Sequence, residues 1–85
     1  QGQVLKGKEV WNLKFDFKKL RGRMIEKHGT IKKFSNSYSK SYIALSNKLN
    51  HQAKFNTDDI VEITKLLEIP IEEIGEYFFK EKEDK

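Results

Sequence analysis

The run from Thr30 to Asn50 constrains this chain more than any other stretch, because a helical pattern stops there and resumes within a few residues. Ile31, Phe34 and Tyr38 lie three and four apart, so they share one helical face. Leu45 and Leu49 repeat that spacing further on, with Ala44 beside them. Ser39-Lys40-Ser41 makes a short polar break between the two pieces, and Ser41 suits the N-cap of the second. Two short helices joined in this way have the spacing of a helix-turn-helix, whose second helix meets the partner.

The flanking sequence supplies more helices of the same kind. Asp16 is a good N-cap for a first helix, whose stripe of Phe17, Leu20, Met24 and Ile25 faces inward. Arg21, Arg23 and Lys27 fall off that stripe, and Gly29 suits the helix end. His28 sits in the last turn, where a cation agrees with the helix dipole. Thr30 caps the second helix and places Lys32 and Lys33 in its first turn. Beyond the loop His51-Gln52-Ala53-Lys54, Phe55 precedes Asn56, the expected cap of a fourth helix. Asp58 and Asp59 suit its first turn, and Ile60, Ile63, Leu66 and Leu67 form its buried face. Ile69-Pro70 is expected to end it, because the residue before proline avoids helical angles. A short helix from Ile71 to Gly75 and an aromatic cluster of Tyr77, Phe78 and Phe79 complete the pattern.

At 85 residues the chain is expected to hold one small domain. Residues 13–79 are assigned to that domain and residues 80–85 to a charged tail. Residues 1–12 lack periodicity and read as a disordered or cloning-derived extension, within which Trp11 either packs on the domain or serves an interface. Lys8-Glu9-Val10 back-translates as a purine-rich ribosome-binding sequence, which makes Leu13 a candidate start. The charge is divided: residues 1–54 carry 13 Lys and Arg against 3 Asp and Glu, and residues 55–85 carry 4 against 10. Residues 30–54 hold five lysines and no acid. Such a chain presents a basic face and an acidic face.

Several function classes lose their support at this stage. The chain has no cysteine, hence neither disulfides nor thiolate metal sites. The two histidines stand far apart, no phosphate-binding glycine loop occurs, and the acidic pairs Asp58-Asp59 and Glu72-Glu73 sit where helix starts favour acids. No catalytic, cofactor or metal residue is expected, and the chain reads as no enzyme. No apolar run approaches the ~20 residues of a membrane span.

The run Phe17-Lys18-Lys19-Leu20-Arg21-Gly22-Arg23, then Lys33-Phe34, then Ser41 with Leu45-Ser46 and Lys48-Leu49-Asn50, resembles the small Cro-like repressors of temperate phages of Gram-positive hosts. Leu66-Leu67-Glu68-Ile69-Pro70 and Glu72-Glu73-Ile74-Gly75-Glu76-Tyr77-Phe78-Phe79 continue the likeness, which covers roughly residues 15–79. The resemblance implies an all-α, compact four- to five-helix, lambda-repressor-like helix-turn-helix domain. It also implies work in the cytoplasm of a bacterial host, at the nucleoid. Within that family, the departures of this chain resemble a lactococcal antirepressor that binds the phage repressor.

Those departures fall in the turn and the second helix of the motif. Relatives usually have glycine at Ser39, where the turn wants a left-handed backbone that serine takes only with strain. They usually have an apolar plug at Lys40, which here must snorkel or point outward. A base-reading helix normally offers Arg, Gln or Asn near its start, whereas this one offers Tyr42 and Ile43. With Leu45 and Leu49 inward, Ile43 and Asn47 project outward, and Tyr42 lies on the inner or flanking side. An outward isoleucine makes a better contact with protein than with a base edge. Two partners follow. One is the N-terminal domain of the phage repressor, in a heterodimer or larger complex, met through Lys40, Ser41, Tyr42, Ile43, Ser46 and Asn47. In that complex Asp58, Asp59 and Glu62 are expected to pair with basic groups of the repressor. The other is operator DNA, bound alone or with the repressor, with Lys32, Lys33, Lys40, Lys48 and Lys54 on phosphates.

Overall fold

In a computed structural model of the chain, residues 15–81 are described. The extension at residues 1–12, with Trp11, and the candidate start at Leu13 lie outside the described residues, as do residues 82–85 of the tail. The described chain is all-α: α1 (Lys18–His28), α2 (Ile31–Ser35), α3 (Tyr42–Leu49), α4 (Thr57–Leu67), a 3-10 turn (Ile71–Glu73) and α5 (Ile74–Phe78). Helix α1 is the central element, packing against α2, α4 and α5.

The core gathers one residue or more from every helix. Phe17, Leu20, Met24, Phe34, Tyr38, Leu45, Leu49, Ile63, Leu67, Ile69, Tyr77 and Phe78 are buried together. Burying one such side chain contributes about 1.5–3 kcal/mol. At the α5 end, rings meet edge to face: Phe17 with Phe55, Phe55 with Phe78, and Phe15 with Phe79. Beside them lies an open apolar groove of about 350 Å³, lined by Phe15, Phe17, Phe55, Ile60, Phe78 and Phe79.

Three helix starts follow their capping residues. Thr30 accepts from the Lys33 N–H, Ser41 from the Ala44 N–H, and Asn56 from the Asp59 N–H. Helix α1 differs, because it starts at Lys18 rather than near Asp16. Asp16 still takes up the Lys18 N–H at 2.9 Å, so its side chain serves the helix start from one residue before the cap position. Ile25, expected inside, is 49% exposed. The inward face of α1 is thus narrower than its apolar pattern. Helix α2 stops at Ser35, yet Tyr38 stays buried from within the turn that follows.

The helix ends depart further from expectation. Gly29 ends α1 at φ 94°, a conformation that favours glycine. The other two long helices end on non-glycine residues at positive φ: His51 (68°) after α3 and Glu68 (56°) after α4. Helix α4 therefore stops before Ile69-Pro70, and α5 runs on past Gly75 to Phe78. The start of the assigned tail also belongs to the fold. Asp16 donates its N–H to the Lys80 carbonyl at 2.7 Å, and Phe15 forms an isolated antiparallel bridge with Glu81.

Two arginines of α1 close helix ends elsewhere. Arg21 reaches the Leu49 carbonyl (3.2 Å) and Asn50 Oδ1 (2.8 Å) at the end of α3. Arg23 reaches the Leu67 carbonyl (3.1 Å) and the Glu68 carbonyl (3.2 Å) at the end of α4. Each guanidinium satisfies carbonyls that have no partner within their own helix, and each places a cation at the negative end of a dipole.

Candidate interaction surface

Between the buried Tyr38 and the start of α3 the chain has no apolar side chain, and polar contacts with α4 hold it. Ser39 donates its backbone N–H to one oxygen of Glu62 and its hydroxyl to the other, both at 2.7 Å. Lys40 donates its ammonium to Asp59. Asp59 and Glu62 are three apart on α4 and thus share a face. Ser39 does not take the expected left-handed backbone, since His51 and Glu68 are the described non-glycine residues at positive φ. Glu62 fixes the turn by side-chain bonds, where a glycine would have supplied backbone freedom.

Asp59 is the hub of this region. It is 1% exposed, and it accepts from the Tyr38 hydroxyl (2.7 Å), the Asn56 N–H (3.0 Å) and Lys40, with Lys48 Nζ at 3.8 Å. Its exchange with Asn56 is a reciprocal capping box. Burial pushes the Asp59 carboxyl up, but Lys40, the Asn56 N–H, the Tyr38 hydroxyl and Lys48 together hold it below its ordinary value. Burial of the Tyr38 hydroxyl, with the Asp59 carboxylate beside it, raises that group well above the usual phenol range. A buried carboxylate with this many donors is a structural member of the fold.

That assignment corrects one expectation: Asp59 is not available to a basic partner, because it lies inside the domain. Both oxygens of Glu62 are engaged by Ser39, while the residue stays half-exposed. Asp58 alone of the three acids stands exposed without such a role. Among the lysines, Lys48 is 12% exposed at its side chain and turned toward Asp59, which removes it from the expected outward row. Lys40 is partly exposed but ion-paired. Lys32 and Lys33 stand out in solvent on α2. Lys54 is also exposed, and it borders the aromatic groove near Phe55.

Helix α3 is presented on this base. Leu45 and Leu49 are buried and turn its other side outward. Ile43 is 70% exposed, and Tyr42 is 40% exposed beside it, with Lys32 Nζ 5.4 Å from the centre of its ring. The ammonium over that ring gains a modest cation–π attraction. Asn47 is exposed one turn further on. Ser46 is half-buried, and its hydroxyl accepts from Asn50. Of the residues expected at this surface, Ser41, Tyr42, Ile43 and Asn47 come together on the open side of α3. The sequence pattern missed the ties at both ends of the helix: Glu62 and Asp59 at its start, Arg21 at its finish. Their separations of 19–29 residues have no periodic signature.

The result is a short helix held at both ends, with Tyr42 and Ile43 exposed at its start and Lys32 of α2 beside the Tyr42 ring. Among the described residues, no group of three or more His, Asp or Glu side chains converges to hold a metal ion. Among the same residues, no helix is long and apolar enough to cross a membrane. Comparison with curated proteins gives no match. Residues 13–81 match a family model described as a protein of unknown function (DUF739), and the chain belongs to that family.

Proposed function

We propose that the protein is an antirepressor of a phage genetic switch, acting in the host cytoplasm at the nucleoid. It binds the N-terminal helix-turn-helix domain of the phage repressor and blocks that domain's access to operator DNA. One observation carries this reading: Ile43, at the start of the helix that a DNA-binding relative would use to read bases, is 70% exposed. An isoleucine there offers no hydrogen bond to a base edge, whereas it and Tyr42 suit the apolar centre of a protein interface. The engagement of Lys40 and Lys48 by Asp59 adds support, since it takes two cations from any row of phosphate contacts. Asp58 remains for a basic group of the repressor.

The test uses the full chain and the purified repressor N-terminal domain. Ile43→Asp is expected to lower affinity at least tenfold, about 1.4 kcal/mol, with little change in melting temperature because the side chain is already in solvent. Tyr42→Ala is expected to lower it less. Unchanged binding by both variants would sink the reading.

A second reading is favoured by the exposed Lys32, Lys33 and Lys54 and by the absence of acids from residues 30–54. It makes the chain a Cro-like repressor that binds operator DNA itself. Labelled operator separates the two. Antirepression gives little binding alone and loss of the repressor–operator complex on addition. A Cro-like repressor gives direct binding that falls with salt, by about 0.9 in logarithmic slope per phosphate contact.

A further inference from the structure

We infer that Glu62 is a positioning residue for the α3 surface: by holding Ser39 through two hydrogen bonds, it sets where Tyr42 and Ile43 stand before any partner arrives. This rests on the reading of that surface as a protein-binding site.

The geometry is direct. The Ser39 N–H and hydroxyl each meet a different oxygen of the Glu62 carboxylate at 2.7 Å, across 23 residues of sequence. Two residues later, Ser41 opens α3 by capping the Ala44 N–H, and Tyr42 and Ile43 follow at once. The three residues between Tyr38 and Tyr42 include no apolar side chain that could anchor the path in the core. Ser39 and Lys40 carry the tie to α4 instead. Lys40 adds a second strut to Asp59, one turn before Glu62 on the same helix. The turn is therefore fixed by polar bonds at the place where an interface would otherwise have to order it. A surface ordered in advance loses less entropy on binding.

The experiment compares wild type, Glu62→Ala, Glu62→Gln and Ile43→Asp for binding to the repressor N-terminal domain, with melting curves and hydrogen exchange at the Ser39 amide. Glu62→Ala is expected to lower affinity about tenfold and to speed Ser39 exchange, since both bonds are lost. Glu62→Gln keeps an acceptor for the Ser39 N–H and is expected to recover most of the affinity. Binding measured well below every variant's melting midpoint is the readout that a loss of general stability would not move. If Glu62→Ala binds within twofold of wild type while Ile43→Asp fails to bind, the surface stands and the positioning role falls. Equal weakness of Glu62→Gln and Glu62→Ala, or Ser39 exchange unaffected by Glu62→Ala, overturns it too. Full binding by Ile43→Asp removes the surface itself, and this role with it. Should Glu62→Ala fail to fold, Ser39→Ala carries the test: it deletes only the hydroxyl bond, and a loss of about threefold supports the role while none overturns it.

Discussion

At the start of α3 the chain is held by carboxylates, Glu62 on Ser39 and Asp59 on Lys40; at its finish it is held by an arginine and by rings. There Arg21 closes the last carbonyl, His51 stacks on Phe17 with ring centres 5.1 Å apart, and Phe55 and Phe78 continue the aromatic packing. The first end therefore depends on ionised carboxylates, while the second depends on a guanidinium that closes carbonyls and on the packing of rings. The contrast follows from what each end does. The aromatic end joins the chain's two described termini and closes the core. The polar end must carry exposed apolar side chains without letting them collapse inward, and directional bonds to α4 do that better than more apolar surface would.

The largest effect is expected at the aromatic end. Phe78 is buried against Phe55, and Phe78→Ala should cost about 3–5 kcal/mol through lost contacts and a cavity. That is a large share of the about 5–15 kcal/mol that holds a small domain together. Urea unfolding should show the loss nearly constant between acid and neutral pH. A loss that varies with pH would blur the contrast.

A somewhat smaller and pH-dependent effect is expected at the polar end. The Asp59 carboxyl is held below its ordinary value of 3.8, so the stability it contributes is complete above that value. It disappears as pH falls through the lower, folded value, because protonation then removes the charge that the fold favours. Asp59→Asn should cost about 2–3 kcal/mol at neutral pH, by weakening the bonds with Lys40, Asn56 and Tyr38. It should also flatten the acid limb of the stability curve. Urea midpoints taken from neutral pH down through the acid range measure both, and an acid limb as steep as that of wild type would assign the dependence elsewhere.

The same contrast explains what could be read from the sequence. Thr30, Ser41 and Asn56 announced their helices because a cap acts over three residues. The stripes of α3 and α4 were legible because burial repeats at helical spacing. Ile25 fits such a stripe but faces solvent, since periodicity cannot say how wide the buried face is. His51 and Glu68 end their helices at positive φ without the glycine that usually marks such an end. Asp59 looked like an acid placed for a helix start, and Glu62 like an acid on the outer face of the same helix. Their partners Tyr38, Ser39 and Lys40 lie 19–23 residues earlier, and only the fold reveals the pairing.

The smallest effect is expected at Gly22, which belongs to neither end. It lies inside α1, is exposed, and a Cβ added there meets nothing within 4 Å. Its φ is not among the positive values, so alanine can adopt the same backbone. Glycine in a helix interior is worse than alanine by about 0.5–1 kcal/mol, mainly through the freedom it has in the unfolded chain. Gly22→Ala should therefore stabilise the domain by that amount, seen as a higher urea midpoint with an unchanged slope, and should leave the proposed binding to the repressor domain unchanged. Because it stabilises the domain without touching either fastening, it shows whether binding follows overall stability or the α3 surface. Affinity that rose with the midpoint would mean that the polar end has no special role, and that any stabilised core would serve as well.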